Sequence, residues 1–406
     1  MSSQPVPKKR LKERIISPIR EFIHDSRSVG ILLVCCTVAS LALSNSSWGS
    51  PYTGFWEREL TVPVPDLHLP HTILHWINDL LMAVFFFLVG LEIKRELLRG
   101  ELSSIRKSML PVFAATGGMV VPALLYLLWC GGGPAARGWG IPMATDIAFS
   151  LGILSLLGKK APLSLRVFLT ALAIIDDLGG ILTIAIFYAG DLQWSYLWMA
   201  AALFLALGVM NLLKVKNHLL YIVPGLVLWY LVFNSGVHAT IAGVLLAMTL
   251  PLNQIEKLEH RLHDPVNFII MPVFALANTA ILLPGDLSAA IGSPLSFGIL
   301  TGLVLGKPLG ILLFSRISVA LGIASLPGVI GWKDILGAGM VAGIGFTMSI
   351  FMATLAFTEP AMQVTAKVSI IAASTLAGIL GYVYLLNRSR KKGRIAEVQA
   401  EFRDSE

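Results

Sequence analysis

Charge is scarce in this sequence: of 406 residues only 14% are Asp, Glu, Lys or Arg, against 55% hydrophobic, with a mean hydropathy of +0.76. A soluble domain carries about 25% charged residues, so this composition excludes a soluble globular class and predicts an integral membrane protein. Cysteine is nearly absent. Cys35, Cys36 and Cys130 have neither CxxC spacing nor histidine partners, which gives no ground for a disulfide framework, a metal site or thiol redox chemistry and reads as three small buried hydrophobes. Long polar stretches are missing too, apart from the two tails and residues 45–71. With no room for a soluble catalytic domain, any function must sit within the bundle or at its mouths.

Long apolar runs, by contrast, fill the chain. Crossing about 30 Å of hydrocarbon takes about 20 helical residues. Twelve such runs are predicted, at 28–46, 72–92, 108–130, 137–157, 163–189, 194–213, 218–234, 237–251, 265–284, 294–316, 334–357 and 364–386. The expected organisation is a cytoplasmic basic segment at 1–27, a twelve-helix domain at 28–386 and a cytoplasmic tail at 387–406. Residues 38–44 resemble a signal-peptide cleavage region, but the 27 residues before the first run are too long and too polar for one, so an uncleaved first helix is expected.

Basic residues alternate between successive loops. Lys8, Lys9, Arg10, Lys12, Arg14, Arg20 and Arg27 precede the first span; Lys94, Arg95, Arg99, Arg106 and Lys107 follow the second, and Lys159, Lys160 and Arg166 the fourth. The intervening loops carry almost none. By the positive-inside rule both termini are cytoplasmic, which requires an even number of spans. The net charge of +7 is therefore topological: it faces anionic lipid head groups, and the lack of a basic patch interleaved with aromatics argues against nucleic-acid binding.

Within the spans the ionisable residues are Asp79, Asp146, Asp176, Asp177 and Lys307, with Glu92 near a cytoplasmic boundary. A carboxylate at the bilayer centre costs about 2.5 to 3.5 kcal/mol on insertion scales, so the adjacent Asp176 and Asp177 demand water, a cation, a proton or a basic partner. Asp146 follows Thr145 and lies four residues after Pro142. Proline removes a backbone donor, so the fourth span is expected to be discontinuous and to line a wet cavity. The eleventh span carries Gly337, Gly339, Gly343 and Gly345 before Thr347 and Ser349. It reads either as a second broken helix or as close helix packing.

Spans three to five and ten to twelve then form two trios of opposite orientation, an inverted repeat with two interrupted helices meeting near mid-membrane. Asp146 would offset the positive amino-terminal helix ends there and Lys307 the negative carboxy-terminal ends. Lys307 reads as a switch more than as a purely structural ion pair, and the two readings are not exclusive. The three aspartates reach similar depth. Carboxylates with the Thr145 hydroxyl and free carbonyls make an oxygen-rich site for a small hard cation, where cation and proton compete. If only the loaded forms can reorient, that competition gives antiport.

The segments ATDIAFSLG, LAIIDDLGG, FFFLVGLEIKREL, WINDLLMAVFF, SGVHATIAGVLL, GKPLGI and GIGFTMSIF together resemble the NhaA family of sodium/proton antiporters over residues 31–386. The resemblance implies an all-α membrane protein with the inverted-repeat antiporter fold, two discontinuous helices crossing at mid-membrane, and no cofactor or permanent metal. It implies electrogenic, pH-regulated exchange of Na+ or Li+ for H+ across a bacterial inner membrane. Asp176 and Asp177, with Thr145 and Asp146, would hold ion and proton, Asp177 making the closer ion contact and Asp176 pairing with Lys307. Asp79, Glu92, Arg95, Glu96, His238 and Glu259, with Glu256, His260 and His263, are similar to the family's funnel and pH-response positions; they read equally as boundary charges and a packing histidine. The family's first external loop can form a dimerising β-hairpin, but Pro63 and Pro65 limit strand pairing here.

Two other classes use such residues. Prenyl transferases need a DDxxD motif, whereas this chain reads DDLGG; intramembrane proteases need a second catalytic aspartate in a GxGD-like setting, which is not evident, so no enzyme is expected. A channel could use the same carboxylates, but broken helices in an inverted repeat favour alternating access.

Overall fold

A computed structural model of the protein describes residues 26–60, 69–215, 217, 219–328 and 330–404. Each of the twelve predicted spans contains helix. Chain order runs α1 (Ser26–Ser44), the short α2 (Gly49–Trp56), α3 (Ile73–Leu98), α4 (Ile105–Cys130), a 3₁₀ segment (Pro134–Met143) leading into α5 (Ile147–Leu156), α6 (Leu163–Phe187), α7 (Trp194–Leu212), α8 (Leu219–Phe233) and α9 (Ile241–Thr249). Then follow α10 (Leu252–Pro265), α11 (Met271–Asn278), α12 (Pro294–Ala320), the broken pair α13 (Trp332–Ala342) and α14 (Phe346–Ala356), and α15 (Pro360–Asp404). Among the described residues six helices are long and apolar enough to cross a membrane alone, and three bent pairs raise this to nine. The other predicted spans correspond to the shorter α8, α9 and α11. Residues 387–404, expected as a tail, continue α15.

Glycine sets how closely these helices approach. α4 and α12 run antiparallel with backbones almost touching at Gly117 and Gly310, where a Cβ on either residue would strike the other's carbonyl oxygen. The same seam continues through Pro122 against Gly302 and Gly306, Tyr126 against Gly298, and Cys130, whose Sγ lies 3.3 Å from the Pro294 oxygen. Small residues are what permit such contact where no hydrophobic force drives helices together in lipid. α3 and α9 pack in parallel by the same device, Gly243 against Ala83 and Gly90 against Val244 and Ala247. Two buried apolar clusters result, one around the broken helices and one joining α3 to α7, α8, α9 and the start of α10. α7 turns most of its surface outward, as a lipid-facing helix must.

The loop between α2 and α3 is closed at its base by an isolated antiparallel bridge, Glu59 to Thr72, with Leu60 N donating to His71 O at 2.9 Å and Ile73 N to Arg58 O at 3.1 Å. The hairpin body expected around Pro63 and Pro65 lies outside the described residues. Of the three cysteines only Cys130 is buried, and Cys35 is exposed on the outer face of α1. A helix in lipid has no reason to hide a thiol, so that expectation fails for Cys35.

Candidate functional site

Two of the three bent pairs are interrupted at 144–146 and 343–345, with bends of 42° and 51°. At both positions the chain leaves helical geometry, freeing donors and acceptors that lipid cannot satisfy. They satisfy each other. Asp146 N donates to Ile344 O at 2.7 Å, Thr145 Oγ1 to Ala342 O at 2.9 Å, Ser150 Oγ to Val341 O at 3.1 Å, and Ser349 Oγ to Ile141 O at 2.8 Å. These partners ascend one chain while descending the other, so the two interrupted helices cross antiparallel. The glycines of the eleventh span therefore mark a break as well as a packing surface: a Cβ at Gly345 would collide with Ser349, and one at Gly339 would lie 2.8 Å from the Pro308 Cα.

Asp146 serves both half-helices that begin here. One carboxylate oxygen accepts from Phe149 N at 3.1 Å, capping α5; the other accepts from Thr347 N at 3.2 Å and from the Thr347 hydroxyl, capping α14. A negative charge where two helix amino termini converge is the placement that the helix dipole favours.

Lys307 lies on the opposite electrostatic side. Its ammonium donates to Met143 O, the carboxy-terminal end of the 3₁₀ segment, and to Asp176 Oδ2 at 2.5 Å, and both charged side chains are fully buried. A π-turn at Gly302–Gly306 precedes it. Pro308 lacks an N–H and its ring would press on the carbonyl four residues back, so the turn widens and Lys307 N reaches Gly302 O instead.

Asp176 and Asp177 are a single residue apart on α6 and so point about 100° apart round its axis. Asp176 faces Lys307, with its second oxygen, Oδ1, unpartnered among the described residues. Asp177 faces a cavity of about 160 Å³, whose polar lining is Glu92, Asp146, Asp177, His263, Asn267 and Thr347. The cavity thus joins the crossing to Glu92 on α3 and His263 on α10. Among the described residues no trio of His, Cys, Asp or Glu could hold a metal ion.

This arrangement has relatives. The chain matches the family described as Na+/H+ antiporter 1 over residues 20–385. It is 53% identical to "Na(+)/H(+) antiporter NhaA 2" of Flavobacterium johnsoniae, an alignment covering 91% of this chain and 93% of that one. It is 50% identical to "Na(+)/H(+) antiporter NhaA" of Dechloromonas aromatica, over 90% and 94% of the two chains. The chain belongs to the Na+/H+ antiporter 1 family. Membership of this transporter family, with the apolar helices, makes it a multi-pass membrane protein.

The residues similar to the antiporter family's pH-response positions do not form one group. Arg95 bonds to Glu259 and, at 2.9 Å, to Glu96, while Arg99 reaches Glu256 at 3.5 Å; these pairs join the end of α3 to α10, near Glu92, which lines the cavity with His263. Glu259 lies outside the spanning segments, and burial raises its proton affinity above the usual carboxylate range, partly offset by the Arg95 guanidinium. His260 is exposed on α10. Asp79 and His238 are elsewhere. Asp79 is 13 residues from Glu92 on α3, roughly 20 Å by helix rise, and its carbonyl accepts from Trp229 Nε1 at 3.1 Å. α9 begins just after His238 and runs parallel to α3, which puts His238 at the Asp79 end. The structure thus places these two at the end of α3 away from Glu92, since helix direction, which motif likeness does not give, decides which residues share an end.

Sequence reasoning also missed residues. Lys94 read as a loop charge, yet it is buried and donates to Met248 O and Leu250 O, both at 2.6 Å, capping the end of α9. Its signal was its helical spacing from Gly90 and Leu91, which share the buried face of α3. Asn78 and Asn278 pair through their amides at 2.8 Å, a contact 200 residues apart in sequence that no local pattern announces.

Proposed function

We propose that this protein exports Na+, and Li+, in exchange for H+ across a bacterial inner membrane by alternating access. The observation that carries the reading is the split surroundings of the aspartate pair: Asp177 on a cavity shared with Glu92 and His263, Asp176 in a fully buried ion pair with Lys307. A sodium ion entering that cavity meets Asp177, with Asp146, Thr347 and Thr145 close by at the crossing. Sodium and proton are alternative ligands for the same oxygens, so loading one releases the other. The Asp176–Lys307 pair responds because the charge arriving beside it changes which partner holds the proton. With two titrating centres emptied per cycle, more than one proton enters for each sodium that leaves, and the exchange is electrogenic. The empty, doubly charged form is too costly to reorient through a low-dielectric centre, which makes the coupling obligatory.

Both termini belong on the basic, cytoplasmic side by loop charge. Glu92, Arg95, Glu96, Glu256, Glu259 and His263 act as the cytoplasmic mouth and its pH response. The bridged base of the first external loop is the place for a homodimer contact, and the basic loops meet anionic lipid. The protein has no catalytic residue in this reading; it moves ions and makes or breaks no covalent bond other than proton transfer.

The deciding experiment follows a pH-sensitive dye in proton-loaded membrane vesicles on addition of sodium or lithium. Dequenching in the parent within its active pH range, and none in Asp177→Asn at any pH, is expected. A parent that stays silent throughout rejects exchange of these ions, and a fully active Asp177→Asn rejects this site.

A further inference from the structure

α10 does not stop at Pro265. It continues through a π-turn, Val266–Ile270, into α11, again with a proline, Pro272, one residue beyond the turn's last bond. In a regular α-helix, positions eight apart drift by about 80° round the axis. The wider turn removes part of that drift, and His263, Asn267 and Met271 all line the cavity in front of Asp177. Among the described residues the Asn267 amide makes no hydrogen bond, so its oxygen is available to whatever fills the cavity.

The other polar groups there are titratable or already engaged. Glu92 comes from α3, Asp146 from α5, Asp177 from α6 and His263 from α10, while the Thr347 hydroxyl from α14 donates to Asp146. α1 contributes only Val29. Asn267 is the neutral, unengaged oxygen among polar lining groups that otherwise titrate or are already bonded. Hard cations take carbonyl as well as carboxylate oxygens, and an amide oxygen keeps its ligating power at any pH, because no proton competes for it in the working range.

We propose that Asn267 is a sodium ligand on the path to Asp177, its amide oxygen replacing a hydration water as the ion enters. The proposal rests on the cavity being the ion path. It gives the entry step a component that is independent of pH, separate from the proton-competing carboxylates deeper in. The π-turn is what turns the amide to this task.

The test uses the full chain in vesicles, with sodium titrations of proton release at several pH values for Asn267→Ala, Asn267→Ser, Asn267→Asp and Asp177→Asn. Losing one neutral ligand is expected to raise the KM for sodium in Asn267→Ala by about three- to tenfold, by a similar factor at each pH, with the maximal rate nearly unchanged. Asn267→Ser, which restores an oxygen, recovers part of the loss. Asn267→Asp adds a carboxylate to Glu92, Asp146, Asp177 and His263, so its KM falls at alkaline pH and depends more steeply on pH. Unchanged KM in both the Ala and Asp variants overturns the proposal, as does a loss of maximal rate at unchanged KM, which marks packing. If Asp177→Asn is silent while the Asn267 variants match the parent, only the role of Asn267 falls; if Asp177→Asn remains active, the ion path itself is wrong and the proposal falls with it.

Discussion

Asp176 and Asp177 share a helix, a depth and a chemistry, and differ only in which way each side chain leaves the backbone. One meets an ammonium in a dry interior, the other a cavity. That difference makes Lys307 a residue whose removal costs stability as well as transport. A buried charge stripped of its partner destabilises by about 3 to 5 kcal/mol, so Lys307→Ala should lower the thermal midpoint in detergent markedly. Adding Asp176→Asn should recover most of that loss while leaving sodium-dependent proton movement absent. A single variant as heat-stable as the parent would remove the ion pair from the stability argument. At this scale the sequence was informative because intramembrane charge is expensive: Asp146, Asp176, Asp177 and Lys307 stand out on cost alone. Asn267 and Thr347 do not, since a neutral amide or hydroxyl in a span needs no compensation large enough to notice.

Among the elements, the broken helices were legible and the widened turns were not. Pro142 and the Gly337–Gly345 run weaken helix locally, which a single sequence displays. Two π-turns, before Met271–Pro272 and Lys307–Pro308, form where a proline meets its neighbour's carbonyl in a helix already formed, while a third, Ile77–Leu81, has no proline beside it. The docking of α10 on α3 was half legible, through Arg95 and Glu259, and here a pH effect follows. Burial raises the Glu259 proton affinity, so the docked arrangement favours the protonated carboxyl. Its contribution to docking is present in acid and is lost as pH rises above the ordinary carboxylate range. A cysteine placed at Gln254 should therefore react with thiol reagents faster as pH rises. Glu259→Gln should flatten this dependence; an equally steep profile in that variant would sink the idea.

For the whole molecule, loop charge predicts the orientation and helix direction supplies the rest. Ser288→Cys, between α11 and α12, should be labelled by an impermeant maleimide from the periplasmic face, and Lys257→Cys only in inside-out vesicles; the reverse pattern would invert the topology. What composition could not supply was which helices are neighbours, because the antiparallel α4–α12 seam depends on Gly117 and Gly310 finding each other across nearly 200 residues.

A cell that stores energy as a voltage across this membrane carries every copy of the protein as a potential short circuit. Beyond Asp146 the chain towards Pro134 is filled, and its polar groups have fixed partners: Ser349 Oγ on Ile141 O, Tyr188 on Arg137 O at 2.7 Å and Gly140 N at 3.3 Å, and Tyr126 on Ala135 O at 2.6 Å. A proton relay needs groups free to accept on one side and donate on the other. Here each is already partnered, so a proton leak past the crossing would have to break these bonds, and the resting antiporter is expected to hold the gradient it uses.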